Sequence, residues 1–306
     1  MTNSNPTILI LCGGDSSEKE VSKASGKAVY EVLQKSTSTE LLFLEENQLP
    51  ENIDPSKHIL FPLIHGAYGE DGKLSAELEA KGFVYAGSGP SASVICFDKC
   101  VTKAMALKLG IPTVEDWSGV ILNPSHLRQI PLQGNRFICK PRAQGSSVGM
   151  FLYEKGSEEL PDNLLPEEYL VEPFIEGRDL TVGVLNGTAL GVVGINPKSE
   201  LYDYDSKYTP GRTDYEVPAK VPENVAKDAQ HYAQLIYAHC RCRDFARVDF
   251  RLSAEGQLYF LEVNTIPGMT ATSLLPKSAS IKGYSFIQLI DEMLKPASSR
   301  FSEKFY

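Results

Sequence analysis

The chain has 306 residues, 42% of them hydrophobic, five histidines and a net charge of −9. That length predicts two or three domains rather than one. The acidic balance argues against a nucleic-acid partner, which asks for a basic footprint, and no apolar run approaches the length that spans a bilayer. The six cysteines form no CxxC pair, so a zinc site is not expected. Cys12 and Cys139 lie in apolar runs and read as buried thiols. The first apolar run, Ile8 to Cys12, is too short and lacks the basic flank of a signal peptide, which makes a reducing, cytoplasmic setting the expectation.

Thr7 to Gly14 reads as a buried strand ending in two glycines. Val21, Ala24, Ala28 and Val32 then recur at helical spacing, so strand, glycine-rich turn and helix open an α/β unit. Gly13-Gly14 lacks the GxGxxG fingerprint and reads as a plain strand-to-helix turn. Glu18 falls near the C-terminal edge of the first strand, where ligands of open α/β sheets collect. Further strands are expected at Glu40–Glu45 and His58–Ile64. The second runs into His65–Glu79, where three glycines and two carboxylates at the strand end, then a helix, make a site-like loop. His65 alone reads more simply as a structural histidine. A helix is expected from Lys99 to Leu109, stopped by Gly110-Ile111-Pro112, with a domain boundary near residue 100.

Arg136 to Met150 predicts a strand ending in Lys140-Pro141, a Gly/Ser loop over Gln144–Gly149, and a return strand from Val148 to Tyr153. Such a loop can lay its N–H groups, with the Lys140 ammonium, against phosphate oxygens. A flexible hairpin tip is the alternative, and the order of a Walker A loop is missing. Tyr169–Ile175 and Asp179–Leu185 read as strands joined at Glu176-Gly177. Asn186–Asn196 reads as a further strand pair. Leu201 to Ala219 is long, polar and rich in Tyr and Asp, which predicts a lid or a linker. Val221–Arg241 is the clearest helix, begun by Pro222 and Glu223. Ser285–Leu294 is a last amphipathic helix, with the tail beyond Pro296 expected to fray.

Phe245 to Asn264 reads as two short strands joined by a tight turn at Glu255-Gly256. That turn would place Val248 opposite Val263, Phe250 opposite Leu261 and Leu252 opposite Tyr259 on an apolar face. The other face would set Arg247 opposite Asn264 and Asp249 opposite Glu262. Facing carboxylates repel unless a cation lies between them, and carboxylate and amide oxygens suit a hard ion such as Mg²⁺. A solvated Arg–carboxylate face is the alternative.

Together, GGDSSEKEVSKASG, HGAYGEDGKLSAELE, Lys99, KPRAQGSSVGM, YDYDSKY, RVDF and LEVNTIPGMTATSLLP resemble the ATP-grasp superfamily, and within it the D-alanine–D-alanine ligases of cell-wall synthesis. The resemblance implies an α/β fold, α+β in its later parts, with three domains: an N-terminal α/β domain (1–100), a central ATP-grasp subdomain (101–185) and a C-terminal one (186–306). ATP would lie between the last two. It implies ATP-dependent joining of two D-alanines through D-alanyl phosphate, for peptidoglycan precursor synthesis. It also implies two Mg²⁺ ions, replaceable by Mn²⁺, and a homodimer. A D-alanine–D-lactate or other carboxylate–amine ligase of the same fold, and a non-catalytic nucleotide-binding regulator, are the alternatives.

Roles follow by position. Asp249, Glu262 and Asn264 match the metal ligands. Lys99, Lys140 and the loop Ser146, Ser147 and Val148 match the phosphate grip, while Glu172, Phe174 and Ile175 match the adenine and ribose hinge, with Leu261 beside it. Arg247 and the Gly268 N–H match the oxyanion donors. Glu18 and His65 match the first D-alanine site; Lys207, which also reaches ATP, Ser273 and Leu274 match the second. Ser146, Tyr208 and Glu18 match a hydrogen-bonded trio, and Tyr208 favours the dipeptide over the depsipeptide. Two positions depart from the pattern: Gln144 stands where many relatives are acidic, and Asp179 where a ribose-binding Glu is usual.

Overall fold

A computed structural model describes residues 6–116, 135–154, 168–209, 211–270 and 272–306, the side chain of Asp205 excepted. The N-terminal part is a parallel sheet built from β1 (Thr7–Gly13), β2 (Thr39–Leu44), β3 (His58–Pro62) and β4 (Val84–Tyr85), in the order β2-β1-β3-β4. Strand β1 alternates its side chains between two cores. Ile8 and Ile10 join α1 (Lys19–Leu33) on one face, and Leu9 and Leu11 join α2 (Lys73–Ala80) on the other. Burial on both faces explains the unbroken apolar run in the sequence.

Helices α3 (Pro90–Phe97) and α4 (Lys99–Lys108) follow, separated by Asp98, whose carboxylate caps α4 by accepting from Cys100 N and Val101 N. A small antiparallel sheet comes next, in the order β6-β5-β7, from β5 (Arg136–Pro141), β6 (Phe151–Glu154) and β7 (Tyr169–Pro173).

The largest sheet is antiparallel, in the order β10-β9-β8-β11-β12. It comprises β8 (Gly177–Leu185), β9 (Thr188–Pro197), β10 (Thr213–Glu216), β11 (Phe245–Ser253) and β12 (Leu258–Asn264). Asn186–Asn196 is therefore one turn and one strand rather than a strand pair, because β9 hydrogen-bonds straight back onto β8. Strand β8 lies between β9 and β11, so a cut at residue 185 would sever it from its own sheet. One face packs on α6 (Glu223–His239) through Val225, Ala229, Ala233 and Ile236. The expected lid, 201–219, carries regular structure: α5 (Tyr204–Tyr208) and then β10, which pairs with β9. Helix α7 (Leu274–Ser280) approaches β8 closely, since a Cβ on Gly183 would meet Leu275 Cδ1 at 2.6 Å.

Helix α8 (Phe286–Phe305) opens with a capping box between Ser285 and Gln288 and runs straight through Pro296. The expected frayed tail is overturned because Ala297 and Phe301 are buried against the N-terminal sheet. That burial outweighs the backbone hydrogen bond that proline forfeits. Arg300 then donates to both oxygens of buried Asp244, at 2.9 and 2.6 Å, and to Tyr85 O at 2.8 Å. Among the described residues, no helix is long and apolar enough to cross a membrane.

Candidate active site

The β11–β12 hairpin brings its acidic face together as the period-two reading expects. Arg247 pairs with Asn264, Val248 with Val263, and Asp249 with Glu262. Beyond Asp249 the register shifts, so Phe250 faces Phe260, and Leu252 faces Leu258. The expected partners of Phe250 and Leu252 are thus wrong. The strands end at Ser253 and Leu258, so the connection is longer than two residues, and a bulge at Leu261 absorbs the difference. Phe260 is fixed by Pro112 O, which accepts from its N–H at 2.8 Å, and its ring packs edge-on against Phe250. The bulge lets Leu261 and Glu262, consecutive in sequence, both line a cavity.

Two cavities meet over this hairpin. The first is floored by Leu261 and Asp249 and walled by Phe174, Ile175, Glu172 and Asp179; Lys140, Ser147 and Val148 close it. The second is lined by Glu18, His65, Ser146, Tyr208, Arg247 and Asn264, with Gly268, Ser273 and Leu274 at one end. Lys99, Gln144, Tyr202, Lys207 and Glu262 line both.

At the junction, Arg247 clasps Asp249 with two hydrogen bonds, Nε to Oδ1 at 2.9 Å and Nη2 to Oδ2 at 2.8 Å. Thr181 Oγ1 donates to Asp249 Oδ1 at 2.6 Å. Lys99 Nζ stands 3.2 Å from Glu262 Oε2 and donates to Gln144 O at 2.8 Å. Position 144 thus meets Lys99 through its main-chain carbonyl. Burial raises the Glu262 carboxyl, but Lys99, Lys207, Lys140 and Arg247 outweigh it and bring it down to about 2. Burial opposes the Arg247 charge, yet Asp249 and Glu262 hold its pKa above the ordinary range.

Two carboxylates and the Asn264 amide on one face form an oxygen donor set that fits a hard divalent ion. No cluster of three or more His, Cys, Asp or Glu suited to a metal occurs among the described residues, so the amide is needed to complete the set.

Three segments close the second cavity. Ser146 hydrogen-bonds the Glu18 carboxylate, and its Oγ lies 2.6 Å from Tyr208 OH. Burial pushes the Tyr208 phenol up to about 12, so it keeps its proton and donates to Ser146, which donates onward to Glu18. Ser147 Oγ adds a bond to Tyr202 O at 2.9 Å. Ser146 and Ser147 hold φ of +52° and +57°, so the loop is bent through left-handed conformations to reach both partners.

His65 is buried, with Nδ1 3.5 Å from Glu70 Oε1 and Nε2 3.4 Å from Ser25 Oγ. Ser25 Oγ in turn accepts from Met269 N at 3.1 Å, tying the first helix to the loop that carries Gly268. In the sequence Glu70 is one of two adjacent loop carboxylates and Ser25 one of several helix serines, so no spacing marks either as a partner of His65. Ser273 Oγ accepts from Thr270 N at 3.0 Å, and a Cβ on Gly268 would meet that oxygen at 3.0 Å. Lys207 Nζ sits 5.1 Å above the Tyr202 ring, and burial lowers its pKa against the pull of Glu262.

In the first cavity, Asp179 Oδ1 accepts from Arg251 Nη1 at 3.0 Å, and Arg251 Nε donates to Ile175 O at 3.0 Å. Burial and the Asp249 charge raise Asp179 despite Arg251. Arg136 lies over the Phe174 ring at 4.5 Å. Glu172 is buried between two lysines. Lys140 Nζ is 2.7 Å from its Oε2, and Lys103 Nζ bonds its Oε1.

A family profile described as "D-ala D-ala ligase C-terminus" matches residues 123–295, more than half of the chain. The chain belongs to the D-alanine–D-alanine ligase family. It is 42% identical over 286 residues to the D-alanine–D-alanine ligase of Fusobacterium nucleatum, covering 92% of this chain and 96% of the relative. The ligase of Aquifex aeolicus is likewise 42% identical, covering 92% of this chain and 98% of its own length. Among solved structures, the D-alanine–D-alanine ligase of Bacillus anthracis complexed with ATP aligns at a TM-score of 0.79 and 26% identity, over 98% of this chain and 99% of that one. D-alanyl-alanine synthetase A of Vibrio cholerae aligns at 0.82 and 28% identity, over 97% and 99%. The fold is the ATP-grasp α/β fold of the D-alanine–D-alanine ligases.

Proposed function

We propose that the protein joins two D-alanines into D-alanyl-D-alanine, with ATP cleaved to ADP and phosphate. The observation that carries this reading is the meeting of two cavities at Lys99, Lys207 and Glu262. One cavity has the aromatic and charged walls a nucleotide needs, and the other gathers a carboxylate, a histidine and a guanidinium suited to amino acids.

In the first step the carboxylate of one D-alanine attacks the γ-phosphate, giving D-alanyl phosphate and ADP. In the second, the amine of the other D-alanine attacks the acyl carbon and phosphate leaves. Phe174, Ile175, Glu172 and Asp179 hold adenine and ribose, with Leu261 against the base. Lys99, Lys140 and Ser146–Val148 hold the phosphates. Glu18 takes the ammonium of the first D-alanine beside His65. Arg247 and the Gly268 N–H stabilise the tetrahedral oxyanion, an electrostatic task for donors already in place. Lys207, Ser273 and the Leu274 N–H receive the second carboxylate.

Asp249, Glu262 and Asn264 would hold two Mg²⁺ ions, or Mn²⁺ in their place. Bound there, such ions would supply positive charge against the charge that develops on the transferred phosphoryl group. The enzyme acts in the cytoplasm as a homodimer in this reading, its product entering peptidoglycan precursors; sedimentation would test the dimer. The test of function is coupled ADP release that requires both D-alanine and Mg²⁺, with products identified by mass spectrometry. Dipeptide is expected with D-alanine alone and with added D-lactate. Dominant depsipeptide at neutral pH, or no D-alanine-dependent ADP release, would overturn the proposal.

A further inference from the structure

Lys99 and Lys103 stand one turn apart on α4, and both are buried, at 8% and 4% exposure. Lys99 lines both cavities, whereas Lys103 lines neither and stands behind Glu172. Buried lysines are rare unless paired, and this one is bonded to Glu172 Oε1 while Lys140 takes Oε2 at 2.7 Å. Lys140 and Glu172 themselves line the first cavity. The three groups carry two positive charges and one negative.

We infer that Lys103 is a positioning residue for the nucleotide: it neutralises Glu172 from behind, which leaves the Lys140 ammonium free to serve phosphate. The inference rests on the reading of the first cavity as the ATP site. Without Lys103, Glu172 and Lys140 would form a closed neutral pair, and a triphosphate would have to draw Lys140 from its remaining counter-charge. Burial lowers Lys103, and Glu172 restores it in part. Glu172 stays low despite its own burial because two lysines serve it. It is therefore an anion and a pure acceptor.

Titration calorimetry with magnesium tripolyphosphate, which lacks a base, isolates the charge effect. Lys103→Met should bind it about 10- to 100-fold more weakly than wild type, the scale of one hydrogen bond to a charged group. Lys103→Arg should come within about threefold. In the double variant Lys103→Met/Glu172→Gln, the charge of Lys140 is again unopposed, and affinity should return to the wild-type range. A purely structural ion pair predicts no such return. Unchanged binding in Lys103→Met, or a loss that Glu172→Gln does not reverse, overturns the inference. If Lys103→Met alone fails to fold, Glu172→Gln decides, since it must bind tripolyphosphate at least as tightly as wild type.

Steady-state kinetics separates this inference from the functional reading. In the ligase assay Lys103→Met should raise KM for ATP and leave KM for D-alanine within about twofold. An active wild type with no such split sinks the inference alone. A wild type that binds ATP but releases no ADP with D-alanine sinks the functional reading alone.

Discussion

Replacing Ser146 by Ala removes one oxygen that serves two segments at once. Its bond to Glu18 involves a carboxylate in a residue only 5% exposed, so it belongs at the charged-group scale of about 1.5–3 kcal/mol. Its contact with Tyr208 involves a phenol on a residue 40% exposed, which puts it at the low end for neutral bonds, about 0.5 kcal/mol. The sum, about 2–3.5 kcal/mol, corresponds to roughly a 30- to 400-fold loss. Because these bonds join the 146–147 loop, the Tyr204–Tyr208 helix and the start of the first helix around the proposed first D-alanine site, the loss should appear in kcat/KM for D-alanine. Tyr208→Phe removes the weaker bond alone and should cost about two- to threefold. The assay is coupled ADP release against D-alanine concentration at saturating ATP, with both variants checked for wild-type Tm. If Tyr208→Phe loses as much as Ser146→Ala, or if neither changes kcat/KM, the proton order from Tyr208 through Ser146 to Glu18 is wrong.

Four further outcomes are expected. Glu262→Gln should abolish turnover while the protein remains folded by circular dichroism, since Glu262 is shared by both cavities and a neutral side chain would weaken the proposed metal site. Arg247→Ala should lower kcat by about 10²- to 10³-fold, the scale for one oxyanion donor, and unchanged single-turnover rates would remove it from that role. Asp244→Ala should cost about 3–4 kcal/mol in urea unfolding, because it strands Arg300 and the Gly87 N–H that the buried carboxylate holds at 2.8 Å. For pH, burial raises the Glu172 carboxyl but Lys140 and Lys103 leave it below its ordinary 4.5. Its stabilising contribution is therefore complete above 4.5 and fades as pH falls through the lower folded value. The stability gap between wild type and Glu172→Gln should shrink on acidification below that point; a gap that widens would contradict the ion-pair account.

The acidic end of the hairpin was legible because side-chain alternation is a local property of an extended chain, and Arg247 to Asp249 keep it without interruption. The other end was not, because the bulge at Leu261 depends on Phe260 docking against Pro112 and Phe250, contacts from distant segments. Likewise the strand character of 179–185 could be read, but not that β8 pairs with β11, whose partner residues lie sixty or more positions away. Pro296 marks a helix end on local rules, and Phe301 overrules it by finding the N-terminal core.

By itself the sequence determined most of the strands and helices, the acidic face of the hairpin and, through its ordered motifs, the family. Periodicity and residue type act over a few positions, and they survive whatever the rest of the chain does. Only the tertiary structure decided which of these groups meet: Glu18 with Ser146 and Tyr208, Lys103 with Glu172, Asp244 with Arg300. Those meetings are set by long-range packing of helices onto sheets, which no short stretch of residues encodes alone.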